Sequence, residues 1–236
     1  MIIQVSSHRR SGTHALIDFI RENFSVQGDF FHLEDVLDWP LEKLKEGPLI
    51  VKTHEPEPEK KIKHFLKLGH VSEEKAQNIR DLTVDVHAYR HPKNVLKSLY
   101  YFNLKGHEPV YQIPENMSFV DFMRQEGVQD AVSKENRLQF WQRCVKNWAL
   151  REDALALDYQ TIAEGSDKLI EILSQHLQLP PRAYTKNESL VQQSTAIGRG
   201  TTRSMASIPL WTAEAESCFQ QEMDRALLVR LKFEGN

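Results

Sequence analysis

Cysteine is scarce: Cys144 and Cys218 are the only two in 236 residues. That excludes a disulfide framework, and the spacing is not that of a metal site. A reducing cytoplasm is the simplest compartment for such a chain. Long apolar runs are missing as well. Nowhere do about 18 consecutive apolar residues occur, so no transmembrane helix is expected. Met1-Ile2-Ile3-Gln4-Val5 meets Arg9 and Arg10 too early to leave room for the apolar core of a secretion signal. An excess of basic charge is also lacking. The formal net charge of -3 offers no global field for a nucleic-acid backbone, so any anion site is local. There is no internal repeat and no low-complexity tract, which excludes solenoids and long linkers.

Hydrophobic residues make up 40% and charged residues 27% of the sequence, the balance of a chain that folds alone. The length fits a single α/β domain spanning residues 1–236. Apolar, β-branched runs predict strands at 2–6, 48–52, 83–89 and 154–158. Helical spacing follows at 13–24, after Pro92, at 138–150 and at 168–177, and 60–80 reads as a charged helical insertion. Strands alternating with helices predict a parallel central sheet covered on both faces.

Polar residues collect where these strands end. Ser6-Ser7-His8-Arg9-Arg10-Ser11-Gly12-Thr13-His14 joins the first strand to the first helix, where backbone N–H groups and the positive helix end converge on an anion. Gly12 lets the backbone approach closely, Ser11 and Thr13 offer hydroxyls, and Arg9 or Arg10 adds a permanent planar cation. An ordinary capped helix with surface arginines is the alternative for this segment alone. The nucleotide loop G-x-x-x-x-G-K-[ST] is absent, since Gly12 is the only glycine here and no Lys precedes Ser or Thr. An ATPase or GTPase is therefore disfavoured.

Arg10-Ser11-Gly12-Thr13 after a short strand resembles the 5′-phosphosulfate loop of sulfotransferases that use 3′-phosphoadenosine-5′-phosphosulfate (PAPS), where the usual form is Lys-Ser-Gly-Thr-Thr-Trp. Arg90-His91-Pro92-Lys93-Asn94-Val95-Leu96-Lys97-Ser98 is similar to that family's Arg-x-Pro-x-(Asp/Asn)-Val-x-x-Ser segment. The resemblance implies that Arg90 and Ser98 bind the 3′-phosphate. Two helical turns separate a strand-end guanidinium from a hydroxyl that can reach the same oxygens. Lys52-Thr53-His54-Glu55-Pro56 resembles the family's Lys-Thr-His-x-Pro, whose His is the general base. Asp158-Tyr159-Gln160 is similar to its Tyr-Glu-Asp strand end and implies that Tyr159 helps to hold adenine. Gly198-Arg199-Gly200 resembles in part its Arg-Lys-Gly loop, which implies that Arg199 and Gly200 add donors to the 3′-phosphate. Two departures stand out. Arg10 replaces the usual Lys and is a poor proton donor, and Ala15 replaces the usual Trp, removing one adenine platform.

The implied function is transfer of a sulfuryl group from PAPS to a hydroxyl or amine, leaving adenosine 3′,5′-bisphosphate (PAP). His54 would take the acceptor proton, Lys52 and Arg10 would stabilise the developing charge, and the segment Arg9 to His14 would seat the 5′-phosphosulfate. No metal is needed, and a membrane anchor and nucleic acid are not expected. A small-molecule kinase and a catalytically inactive PAP-binding protein are the alternatives; Lys52 and His54 argue against the second. Prolines 56 and 58 predict an extended segment with Glu55, Glu57 and Glu59 on one face. Such an acidic lip would favour a small neutral or cationic acceptor, unless Lys60, Lys61 and Lys63 neutralise it.

Overall fold

Short β-branched and apolar runs become strands, and the first is followed by an amphipathic helix that buries one stripe against the sheet. In chain order the elements are β1 Ile2–Ser7, α1 Thr13–Asn23, β2 Phe30–His32, β3 Leu49–Thr53, α2 Pro58–Lys67, α3 Glu73–Asp81, β4 Thr83–Tyr89 and α4 Pro92–Leu104. They continue with α5 Phe119–Arg124, α6 Arg137–Trp148, β5 Leu155–Asp158, α7 Tyr159–Glu164, α8 Asp167–Leu177, α9 Ala213–Glu222 and α10 Arg225–Arg230. The computed structural model describes residues 1–33, 35, 41–127, 134–182 and 211–234. They fall into two compact units, Met1–Tyr89 with Asn147–Ser194, and Arg90–Lys146 with Thr195–Asn236. No helix among the described residues is long and apolar enough to cross a membrane.

The first unit is an α/β layer structure around a five-stranded sheet of order β2-β3-β1-β4-β5, parallel throughout. Alternation along β1 explains its double burial. Ile3 and Val5 join Leu16, Ile17 and Ile20 of α1 and Leu169, Leu173 and Leu177 of α8 on one face. Ile2 joins Leu49 and Val51 of β3 and Ile62, Ala76 and Ile79 of α2 and α3 on the other. From β1 the chain moves to one side of the sheet for β2 and β3, then crosses to the other for β4 and β5. The carboxyl end of β1 is thus the point where strand order reverses, the place at which open α/β sheets bind ligands.

All four expected strands are present, and β2 is an addition. Only three residues long, it is too short to leave a period. The charged segment 60–80 is two helices instead of one. Gly69, at φ 72, ends α2, with the His70 N–H bonded to the Phe65 carbonyl at 3.0 Å. Ser72 then caps α3 by accepting from the Lys75 N–H at 3.2 Å.

The second unit is helical, with α4, α5, α9, α10 and most of α6. Tyr100 of α4 meets Phe119 and Phe122 of α5 edge-on at 5.4 and 5.2 Å. Arg137 donates to the Phe122 carbonyl at 3.0 Å and lies 3.8 Å above that ring. Lys93 pairs with Glu216 at 2.8 Å and sits over the rings of Trp211 and Phe219.

Candidate functional site

Ser7, the last residue of β1, starts the loop that carries most of the site in the first unit. The Ser11 N–H closes a turn onto the His8 carbonyl at 3.1 Å, and the backbone is left-handed at Arg10 (φ 67) and Gly12 (φ 102). Such a conformation in a non-glycine residue costs roughly 1–2 kcal/mol and is typical of loops shaped around a ligand. Gly12 is the N-cap of α1, and no side chain caps the helix; the first-turn N–H groups are the usual anion donors. The Ser11 hydroxyl is fully buried and has no hydrogen-bond partner among the described residues. A buried orphan donor costs about 1–3 kcal/mol, which a phosphate oxygen would offset. Thr13 Oγ1 bonds Ser7 Oγ, tying helix to strand.

Gly12 is required on two counts. Its φ disfavours any side chain, and a Cβ placed there would overlap the Tyr159 ring at the start of α7. Tyr159 therefore lies against the phosphate-type loop. We expect Gly12→Ala to lower stability by roughly 1–3 kcal/mol and to abolish nucleotide binding; thermal unfolding and calorimetry with PAP read both. Wild-type binding by the variant would remove the loop from the site.

β3 runs beside β1 with Lys52 opposite Val5 and Thr53 opposite Ser6, so the polar ends of both strands emerge together. Lys52 Nζ donates to His14 Nε2 at 3.1 Å and lies 5.2 Å from the Phe30 ring centre, which His14 also meets edge-on at 5.3 Å. Burial, then Lys52 and Arg10, push the His14 pKa down to about 4, so its imidazole is a neutral acceptor. His54 Nδ1 lies 2.9 Å from the Ser7 carbonyl oxygen. A carbonyl can only accept, so Nδ1 carries the hydrogen and the ring lone pair is on Nε2. His54 keeps partial solvent access, yet the dense protein around it, followed by Lys52, holds its pKa well below the ordinary value. The Ser7 carbonyl opposes this, and Arg9 and His8 reinforce it. Both imidazoles are kept neutral by burial first and by neighbouring cations second, and the cations give this corner a positive local field in a chain of net charge -3.

No protein-family model matches the chain, and no curated protein matches it. Solved structures of retinol dehydratase are similar to it. One, in complex with androsterone and the inactive cofactor PAP, has 16% identity and a TM-score of 0.37 over 75% of this chain and 64% of that one. The chain thus spans 64% of the length of that protein. Another, in complex with retinol and PAP, has 16% identity and a TM-score of 0.41 over 98% of this chain and 79% of that one.

The loop residues 9–14, Lys52, His54 and Tyr159 belong to the first unit; Arg90 and Ser98 belong to the second. Within it, Arg90 is half-buried just before α4, and Ser98 lies on the buried side of that helix. Arg199 and Gly200 lie outside the described residues. No cluster of three His, Cys, Asp or Glu side chains able to hold a metal occurs among the described residues.

The expected acidic lip does not form. Pro58 opens α2, so Glu59 sits in a helical first turn instead of continuing an extended strip. Proline at the first helical position starts a helix as readily as it keeps a chain extended. Lys61 pairs with Glu55 at 3.1 Å and Lys60 with Glu57 at 2.6 Å. The neutralised turn, the alternative for this segment, is the one observed.

Sequence reasoning missed Phe30, which seats Lys52, because only the pair Phe30-Phe31 beside Gly28-Asp29 signals β2. His87 was missed too. It is fully buried on β4, and burial followed by His8 pushes its pKa down to about 3.

Proposed function

We propose that residues 1–236 form one PAPS-dependent sulfotransferase domain acting on a hydroxyl or amine of a small-molecule acceptor. The observation that carries this reading is the company kept at the carboxyl end of β1. An uncapped helix start with a left-handed Gly12 and an orphan Ser11 hydroxyl follows one strand, and a neutral His54 with its lone pair on Nε2 follows the neighbouring one. The first set suits a phosphosulfate; the second suits removal of a proton. A protein that only sensed PAP would bind it and transfer nothing.

In this reading the acceptor oxygen attacks sulfur as its proton passes to His54 Nε2, forming the new O–S bond. The bond between sulfur and the 5′-phosphate oxygen breaks, and its electron pair stays on the departing phosphate. Lys52, Arg10 and the loop N–H groups stabilise the negative charge on the sulfuryl and phosphate oxygens. Arg9, Ser11, Thr13 and His14 complete the 5′ seat, and Tyr159 borders it. His14 also steadies Lys52 through the 3.1 Å bond. Arg90 and Ser98 are assigned to the 3′-phosphate on their sequence spacing, as are Arg199 and Gly200 on theirs. The chemistry is cytoplasmic and metal-free.

Calorimetric titration with PAP and with adenosine 5′-phosphate tests the nucleotide assignment. PAP is expected to bind more tightly by a factor of at least about 10, the scale of one charged hydrogen-bonded contact. Equal affinities would remove Arg90 and Ser98 from the site.

A further inference from the structure

Beyond Thr53 the β3 ladder stops, and Pro56 has no N–H to give. The backbone that carries His54 therefore relies on side chains. His54 itself is tied to the Ser7 carbonyl. The Glu55 N–H donates to Thr53 Oγ1 at 3.1 Å, and the Glu55 carbonyl accepts from the Trp148 indole N–H at 3.0 Å. Both backbone groups of Glu55 are thus held. Trp148 arrives from the end of α6, 93 positions away in the chain, and is 1% exposed.

The indole is itself fixed. His87 lies parallel to it, with ring centres 5.9 Å apart and planes 6° from parallel. The Arg151 guanidinium sits 5.1 Å from the indole centre and is paired with Asp85 at 2.9 Å. His87 Nδ1 lies 3.0 Å from Ser6 Oγ, and that hydroxyl also reaches the Val86 carbonyl at 3.4 Å. Consecutive serines of β1 therefore steady His54 by two routes. Ser7 acts directly, and Ser6 acts through His87, Trp148 and Glu55. An apolar core aromatic would need none of these polar links. Phenylalanine would fill much of the same space, yet it lacks the one donor that reaches Glu55.

We propose that Trp148 is a positioning residue for His54, its indole N–H clamping the Glu55 carbonyl and its ring seated on His87. This rests on the reading of His54 as the proton acceptor. The clamp also holds the imidazole in dense surroundings, beside Lys52, Arg9 and His8. Loss of the clamp opens the segment to water. Since burial is the largest cause of the lowered His54 pKa, the pKa then rises toward the ordinary value.

The test is the NMR titration of the His54 ring Cε1–H in the wild type and in Trp148→Phe, with no nucleotide or acceptor added. In the variant the midpoint should move up by about half a unit or more. With PAPS and an acceptor, kcat should fall roughly 10- to 100-fold while KM for PAPS stays within about twofold, the pattern of a misplaced reacting group. A folded variant whose His54 titrates as in the wild type, or whose kcat is unchanged, overturns the proposal. If the variant does not fold, exchange of the Trp148 indole proton in the wild type decides. Strong protection, with a resonance that moves as His54 is protonated, is expected; exchange as fast as a free indole overturns the clamp. The titration needs no turnover, so an unmoved His54 counts against the clamp alone. Absence of any sulfuryl transfer by the wild type counts against the function of His54.

Discussion

His54→Ala should lower turnover by a factor of about 10² to 10⁴, the usual contribution of a positioned general base. PAP affinity should change by less than about twofold, because the base acts on the acceptor and not on the nucleotide. The pH profile carries the second half of this prediction. Only the neutral imidazole accepts a proton, and burial together with Lys52 holds the His54 pKa well below the ordinary value of 6.5. Rate therefore rises with pH through that lowered pKa and is already level at pH 6.5. The acid limb of kcat/KM belongs well to the acid side of an unperturbed histidine, and it should vanish in His54→Ala. More than about a tenth of wild-type rate in the variant would move the base elsewhere. So would an acid limb at or above 6.5.

Arg90→Ala should cost about 2–4 kcal/mol of PAP binding free energy, the scale of truncating one partner of a hydrogen-bonded charge pair. That corresponds to a roughly 30- to 900-fold weaker Kd. Affinity for adenosine 5′-phosphate should barely move, because that ligand lacks the 3′-phosphate. Ser98→Ala follows the same direction with a smaller loss of about 1 kcal/mol, as expected for one neutral donor. Calorimetry with the two nucleotides separates the specific loss from general damage to the fold. Equal losses for both ligands would place Arg90 outside the 3′-phosphate contacts.

What the sequence made legible is what is local. β1, its loop and α1 are contiguous, and Ser6 to His14 carries its own turn chemistry, so the loop could be recognised from Gly12 and its flanking hydroxyls. The end of β3 was legible for the same reason, since Leu49-Ile50-Val51 stops at polar residues. Contacts made across long stretches of chain were not. Nothing near Gly12 announces that Tyr159 packs against it, and nothing around Trp148 in the sequence announces that its N–H meets the Glu55 carbonyl. β2 was lost because three residues cannot show alternation. The extended acidic strip failed because a proline at a helix start and a proline in an extended chain share the same φ, and Pro58 took the first role.

Sulfuryl transfer is measured most directly by mass spectrometry of acceptors incubated with PAPS and the 236-residue chain. A panel of small neutral and cationic alcohols and amines should contain at least one that gains a single sulfuryl group, with PAP released in equal amount and no gain in His54→Ala. PAP binding with no sulfuryl gain on any member of the panel, or gain that His54→Ala leaves untouched, would contradict it.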